Sequence, residues 1–550
     1  MNIVRAILLG SAAGLSMMTG AEAADLPMTK AAPVEYVRVC TAYGPGFFYI
    51  PGTDTCIKVG GRARFEYQYS GPLKSVNSDA SSYRGLGRLQ VDARTASEWG
   101  TVRTFVRFEI ASRTGGWPLR SGTAERQAQA FFATGIDTFS RAQKYVEADK
   151  AFIQFAGLTA GRFSSFYDFY GHELEFIGYT FSSEVQSTNG IAYTAKLGNG
   201  FSATLSVEDP TARRQPLYTA GGIFPNNAAA NSAVPSGLRN LPYNGTTFPG
   251  AIGLTFDPST GLPTSYASVD IAQRNQLPDF VGVLRYDGGW GSAQLSAATH
   301  QISVGTFVQA NQGSTVLTPT QVAALGGVQR PEAAYGYAVQ AGVKFKLDMI
   351  APGDQLWLQA AYGKGALSYT GITGLCGGAN RTCQSWGRFN VDTFDGYLNA
   401  YGDIKLTESW SVVASYLHYW TPTVRQAVFA SYAGVDFGKG ARGALGPLYA
   451  GLGGSLIPAN LNFTPAQAIA YAYSPSLKNY NMFYVGTNLV WSPVKNLDIG
   501  AEVSYAQKNV SGRVVDVNKP LTYTINGVPT PKTTSMDYVW ETRLRIQRDF

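Results

Sequence analysis

Nine arginines are placed where charge is the useful property: Arg62 and Arg64, Arg84 and Arg88, Arg103 and Arg107, Arg162, and Arg543 and Arg545. Each pair is separated by an even number of residues, so its two side chains share one face of an extended strand. Three acids, Asp168, Glu173 and Glu175, cluster shortly after Arg162. Guanidiniums facing carboxylates across a wet gap create a transverse field, which orients water and polar solutes and disfavours apolar ones.

Covalent chemistry has much less to work with. The histidines are His172, His300 and His418. His172 and Glu173 open an apparent zinc-protease motif, but Phe176 stands where the second histidine must be, and there is no convincing G-x-S-x-G elbow. Four cysteines fall in two local pairs, Cys40 with Cys56 and Cys376 with Cys383. Zinc competes for them, but neither pair has metal-ligand spacing or a neighbouring histidine, so two disulfides are expected and no metal or cofactor. The net charge of +7 is spread along 550 residues without a Lys/Arg run, which argues against nucleic-acid binding.

The elements that must carry the arginines are strands. Arg62, Arg64, Glu66 and Gln68 alternate with Ala63, Phe65, Tyr67 and Tyr69; Arg84, Arg88, Gln90, Asp92 and Arg94 alternate with Gly85, Gly87, Leu89, Val91 and Ala93. These segments run about nine to eleven residues, the length of a tilted membrane strand and longer than most globular strands. Seven short turns are expected, near 97–100, 156–158, 198–200, 287–289, 351–354, 407–409 and 492–496. Two strands per turn, with one strand at each end, predict an all-β, 16-stranded antiparallel transmembrane barrel. Eight long gaps between the hairpins would be outer loops, the longest near 209–278 and 420–481.

An Arg or Lys on the lipid face near the midplane costs about 2–4 kcal/mol, so the arginine face must point into the lumen and the lumen must be wet. The last strand alternates Tyr538, Trp540, Thr542, Leu544 and Ile546 with Glu541, Arg543, Arg545, Gln547 and Asp549. It must pair with the strand beginning at Gly60, because an open edge in hydrocarbon leaves backbone groups unpaired. At the other end, Arg5, the apolar run 6–18 and the triplet Ala21, Glu22, Ala23 read as a secretory signal, 1–23, cleaved after Ala23. Residues 24–59 would be a periplasmic segment holding the first disulfide, and 60–550 the barrel.

The block Gly46, Phe47, Phe48, Tyr49, Ile50, Pro51, Gly52, Thr53, Asp54, Thr55, Cys56 to Gly61, the start Ala24, Asp25, Leu26, the segment Trp491 to Leu497 and the terminal Phe550 carry a resemblance. Over its mature length the chain resembles the alphaproteobacterial general porins. That resemblance implies passive diffusion of ions and small hydrophilic solutes, a homotrimer in outer-membrane lipid and lipopolysaccharide, and Phe550 read by the barrel assembly machinery. It also implies a third outer loop folded inward, here about 164–189. On that basis Asp168, Glu173 and Glu175 are expected to oppose Arg64, Arg88, Arg103 and Arg107, with Arg62, Arg84 and Arg94 nearer the lumen ends.

Overall fold

The computed structural model describes residues 38–71, 81–114, 143–185, 187–215, 273–305, 331–373, 391–399, 402–442, 472–516 and 528–550, with shorter pieces between them. The expected signal, 1–23, and the pair Cys376 and Cys383 lie outside the described residues. Among the described residues no helix is long and apolar enough to cross a membrane.

Alternating side chains make strands, and the strands make one ring. Its members are β1 (Thr55–Gly71), β2 (Ser81–Ser97), β3 (Gly100–Thr114), β4 (Gln143–Phe155), β5 (Leu158–Phe163), β6 (Thr188–Gly198), β7 (Phe201–Glu208) and β8 (Asp279–Gly288). They continue with β9 (Gly291–Ile302), β10 (Ala334–Lys346), β11 (Gln355–Lys364), β12 (Glu408–Thr421), β13 (Val424–Asp436), β14 (Tyr480–Val494), β15 (Leu497–Val515) and β16 (Thr533–Asp549). Each is antiparallel to the next. The ring closes between β1 and β16, in register from Arg62↔Asp549 to Gly71↔Trp540. No sheet edge is left for hydrocarbon to face.

Outward residues such as Phe65, Leu89, Phe108, Ile110, Leu295 and Leu544 are exposed. A surface this apolar is suited to lipid and not to water. Near the short turns the outer face carries contiguous aromatics: Phe201 lies 4.8 Å from Tyr286, Tyr286 5.7 Å from Trp290 and Trp290 5.6 Å from Phe345, centroid to centroid. This is the girdle expected at a membrane interface.

Six of the seven expected turns join consecutive strands; the turn expected at 407–409 does not. The hairpin lies instead at Pro422 and Thr423, between β12 and β13. Pro422 has no N–H to lose at a turn, and the Thr421 hydroxyl accepts the Val424 N–H at 3.0 Å. The following Val424–Asp436 buries Ala427, Phe429, Ser431 and Ala433 while exposing Val428 and Tyr432. The gap expected at 420–481 therefore shrinks to 437–479. Gly396–Leu398 pairs instead with Leu217–Thr219 and Ile404–Leu406, a small sheet joining the fourth and sixth outer loops. The strand number survives because the hairpin moved without being lost.

The N-terminal segment is tied to β1 by the Cys40–Cys56 disulfide, packed with Phe47. At the seam, Gly61 donates to the Phe550 carbonyl at 2.9 Å and accepts from its N–H at 3.1 Å. A Cβ on Gly61 would collide with the Phe550 ring and the Arg88 carbonyl. The missing side chain lets the last residue lie against the first strand.

Candidate functional site

Antiparallel register converts the alternation into charge pairs. Along the seam, Arg62 faces Asp549, Arg64 faces Gln547, Glu66 faces Arg545 and Gln68 faces Arg543. Arg62 Nε donates to Asp549 at 2.6 Å and Arg64 Nε to Gln547 at 2.8 Å. Arg88 pairs with Glu109 on the neighbouring strand. Glu66, fully buried, holds Arg84, Arg545 at 2.7 Å and Arg543 at 3.7 Å. These charge-assisted contacts hold the guanidiniums in place.

A β-bulge supplies one partner that alternation alone misses. The register between β3 and β4 shifts at Arg107 and Phe108, leaving Asp149 without an opposite residue and turned inward, where it takes Arg107 Nε. Bulges re-aim side chains in this way.

The segment 164–187, which follows β5, hydrogen-bonds wall strands far around the ring. The Tyr167 carbonyl accepts from Ser296 at 2.9 Å and Gln340 at 3.0 Å, and the Tyr170 N–H donates to Gln359 at 3.0 Å. Phe181 N–H reaches Ser431 at 3.1 Å. Phe176 is clamped from both sides: its N–H and that of Ile177 donate to Glu502, while Arg543 and Arg545 donate to its carbonyl. Arg545 also lies 4.3 Å over the Phe176 ring.

Between this segment and the wall lies a cavity of about 430 Å³, lined by Arg62, Arg64, Arg88, Arg107 and Arg545 on one side and Asp168, Glu173, Glu175 and Glu184 on the other. The acids reach it on different terms. Asp168 accepts from Ser183 at 2.6 Å, from the Val185 N–H and from Arg213 at 2.8 Å. Glu175, buried, accepts from Tyr170 at 3.0 Å, the Tyr179 N–H at 3.0 Å and both the N–H and hydroxyl of Thr180. Both brace the loop itself. Glu173 makes a short-range bond to the Gly171 N–H at 2.9 Å and is exposed to the cavity.

Enclosure within the barrel pushes the Glu173 carboxyl up to about 7, and the neighbouring Glu184 adds to the rise. Burial opposes a charge on His172, but Glu175, with Glu184 and Glu173 beside it, pushes its imidazole up to about 9. Burial likewise works against the Glu175 carboxylate, yet His172 and the Thr180 donors hold it below the usual range.

The remaining arginines stand elsewhere. Arg84 and Arg543 are fully buried in the Glu66 cluster. Arg103 and Arg94 grip Asp92 at the short-turn end, at 3.0 Å and 2.8 Å. Arg162 donates to the Ala148 carbonyl at 2.8 Å. Sequence reasoning missed Asp149, Glu502 and Arg213; strand parity could have found Glu502, but not the other two. Among the described residues no cluster suited to a metal ion occurs.

The Porin subfamily profile matches residues 25–527. Porin Omp2b of Brucella canis and of Brucella abortus are each 31% identical over 303 residues, which make up 53% of this chain and 64% of theirs. The chain thus spans less than two thirds of the length of these curated relatives. Among solved structures, the outer membrane channel DcaP of Acinetobacter baumannii aligns with 91% of this chain and 99% of its own, at 12% identity and a TM-score of 0.46. The closed barrel itself rests on the strand pairing above, and with a profile match across nearly the whole sequence the chain belongs to the porin subfamily.

Proposed function

We propose that this chain forms a water-filled channel in the outer membrane through which ions and small hydrophilic solutes diffuse passively. The observation that carries the reading is the cavity in which five wall arginines face the carboxylates of segment 164–187 inside a closed barrel. Segment 164–187 acts as the constriction. Arg64, Arg88 and Arg107 form its basic side, and Glu173 with Glu184 forms the acidic side. Water and polar solutes align in the field between them, and apolar molecules lose hydration without compensation.

The same reading makes the mature protein a homotrimer in a bilayer bearing lipopolysaccharide, inserted by the barrel assembly machinery through its last strand and Phe550. Liposomes containing the purified protein should swell in a series of neutral sugars at rates that fall with solute size alone. Absence of swelling, or a rate set by sugar identity at constant size, would overturn general diffusion.

A further inference from the structure

A cation from the fourth outer loop holds the constriction segment. The short 3-10 turn Pro210–Ala212, capped by Asp209 accepting the Thr211 N–H at 2.9 Å, aims the next residue, Arg213, inward. Only 2% of Arg213 is exposed. Its guanidinium donates to Ser165 at 2.8 Å and Asp168 at 2.8 Å on the outgoing limb of segment 164–187, and to Ser183 at 2.7 Å on the returning limb. Its face lies 4.0 Å over Tyr369 of the sixth outer loop. Tyr369 donates to Asp279 of β8 at 2.6 Å, so the chain of contacts ends on the barrel wall. A planar, permanently charged fork is the side chain able to bridge two limbs in this way, and a buried charge keeps its partners only while both limbs stay in place.

We infer that Arg213 is a positioning residue for the constriction, through which the fourth outer loop sets the width of the channel and its resistance to closure. This rests on the reading of segment 164–187 as the constriction. The anchor lies in outer loops and the barrel is sealed by backbone pairing, so the barrel assembles without it.

The test compares wild type, Arg213→Gln, Asp168→Asn, the double variant and Lys405→Gln in planar bilayers and swelling liposomes, with heat-shifted gel mobility reporting the barrel. Lys405→Gln removes the same charge from an exposed pair with Asp403 in the sixth loop. Arg213→Gln and Asp168→Asn are expected to keep the folded mobility, lower the voltage at which channels close, and change permeation of solutes near the size limit by at least about twofold. The double variant should be no worse than either single one, the mark of a shared contact. Lys405→Gln should behave as wild type. Unchanged closure and size limit in both single variants of a conducting protein would overturn the inference, as would loss of folded barrels in both. A wild type that does not conduct would overturn the channel reading itself.

Discussion

The basic wall and the acidic loop meet at one cavity but hold their charges by opposite means. On the wall, each side chain is aimed by strand register, and its partner sits on an adjacent strand: Arg62 with Asp549, Arg88 with Glu109, Arg545 with Glu66. In the loop no ladder exists to satisfy the backbone, so the carboxylates do that work. Asp168 and Glu175 accept main-chain N–H groups and hydroxyls from farther along their own segment, whereas Glu173 accepts the N–H of Gly171, two residues away, and is exposed to the cavity. A wall charge can therefore be changed with the backbone intact, whereas most loop charges cannot.

The largest effect should come from Glu66, the exception on the wall, because four arginines share it: Arg64, Arg84, Arg543 and Arg545. Glu66→Ala leaves buried cations uncompensated and should cost about 3–5 kcal/mol, read as a lower temperature for loss of the folded mobility. An unchanged temperature would mean the cluster is wet.

Next is the loop brace. Glu175→Ala orphans several donors at about 1–3 kcal/mol each, enough to release the loop while the barrel keeps its thermal transition. Single-channel conductance should rise, and a parallel fall in barrel stability would blur the distinction between wall and loop.

Smaller, and opposite in sign, are the effects of Arg64→Gln and Glu173→Gln. Each removes a charge worth about 0.5–1 kcal/mol at a few Å in water, or two- to fivefold in the cation-to-anion permeability ratio. The ratio should rise for the first and fall for the second in reversal-potential measurements, more strongly at low salt.

The smallest is a titration. Glu173 is pushed up to about 7, so raising pH from 6 to 8 adds up to one negative charge at the cavity and raises cation preference by about twofold. Glu173→Gln should flatten the curve. His172, pushed up to about 9, stays protonated in that window. The stabilisation its charge gives the loop is complete below about 6.5 and declines as pH rises from there through about 9, so loop order should weaken progressively over that range. Conductance noise that stays flat from about pH 6.5 to 9 would contradict this.

Much of the ring was legible beforehand. Arg62 to Gln68 and Glu541 to Asp549 read as inward faces, and they pair where closure requires. The misplaced turn at 407–409 shows the limit: two stretches alternate, and the choice of Pro422 and Thr423 depended on what Ala427 and Phe429 pack against. In the site, Arg64, Arg88, Arg107, Arg545, Asp168, Glu173 and Glu175 do line one cavity. Arg103 does not line it, because Asp92, two strand positions from Arg94, is near enough to take it.

Sequence by itself determined the features that depend on a period of two: the inward and outward faces, the sixteen strands, and the seam that ends on Phe550. Those follow locally from alternation and from the cost of charge in hydrocarbon. Tertiary structure alone decided that Asp149 turns inward at a bulge, that Glu66 gathers four arginines, that Glu175 folds the loop, and that Arg213 reaches Asp168 across 45 residues. Each of these depends on partners distant in the chain, and no spacing within one strand encodes where such partners meet.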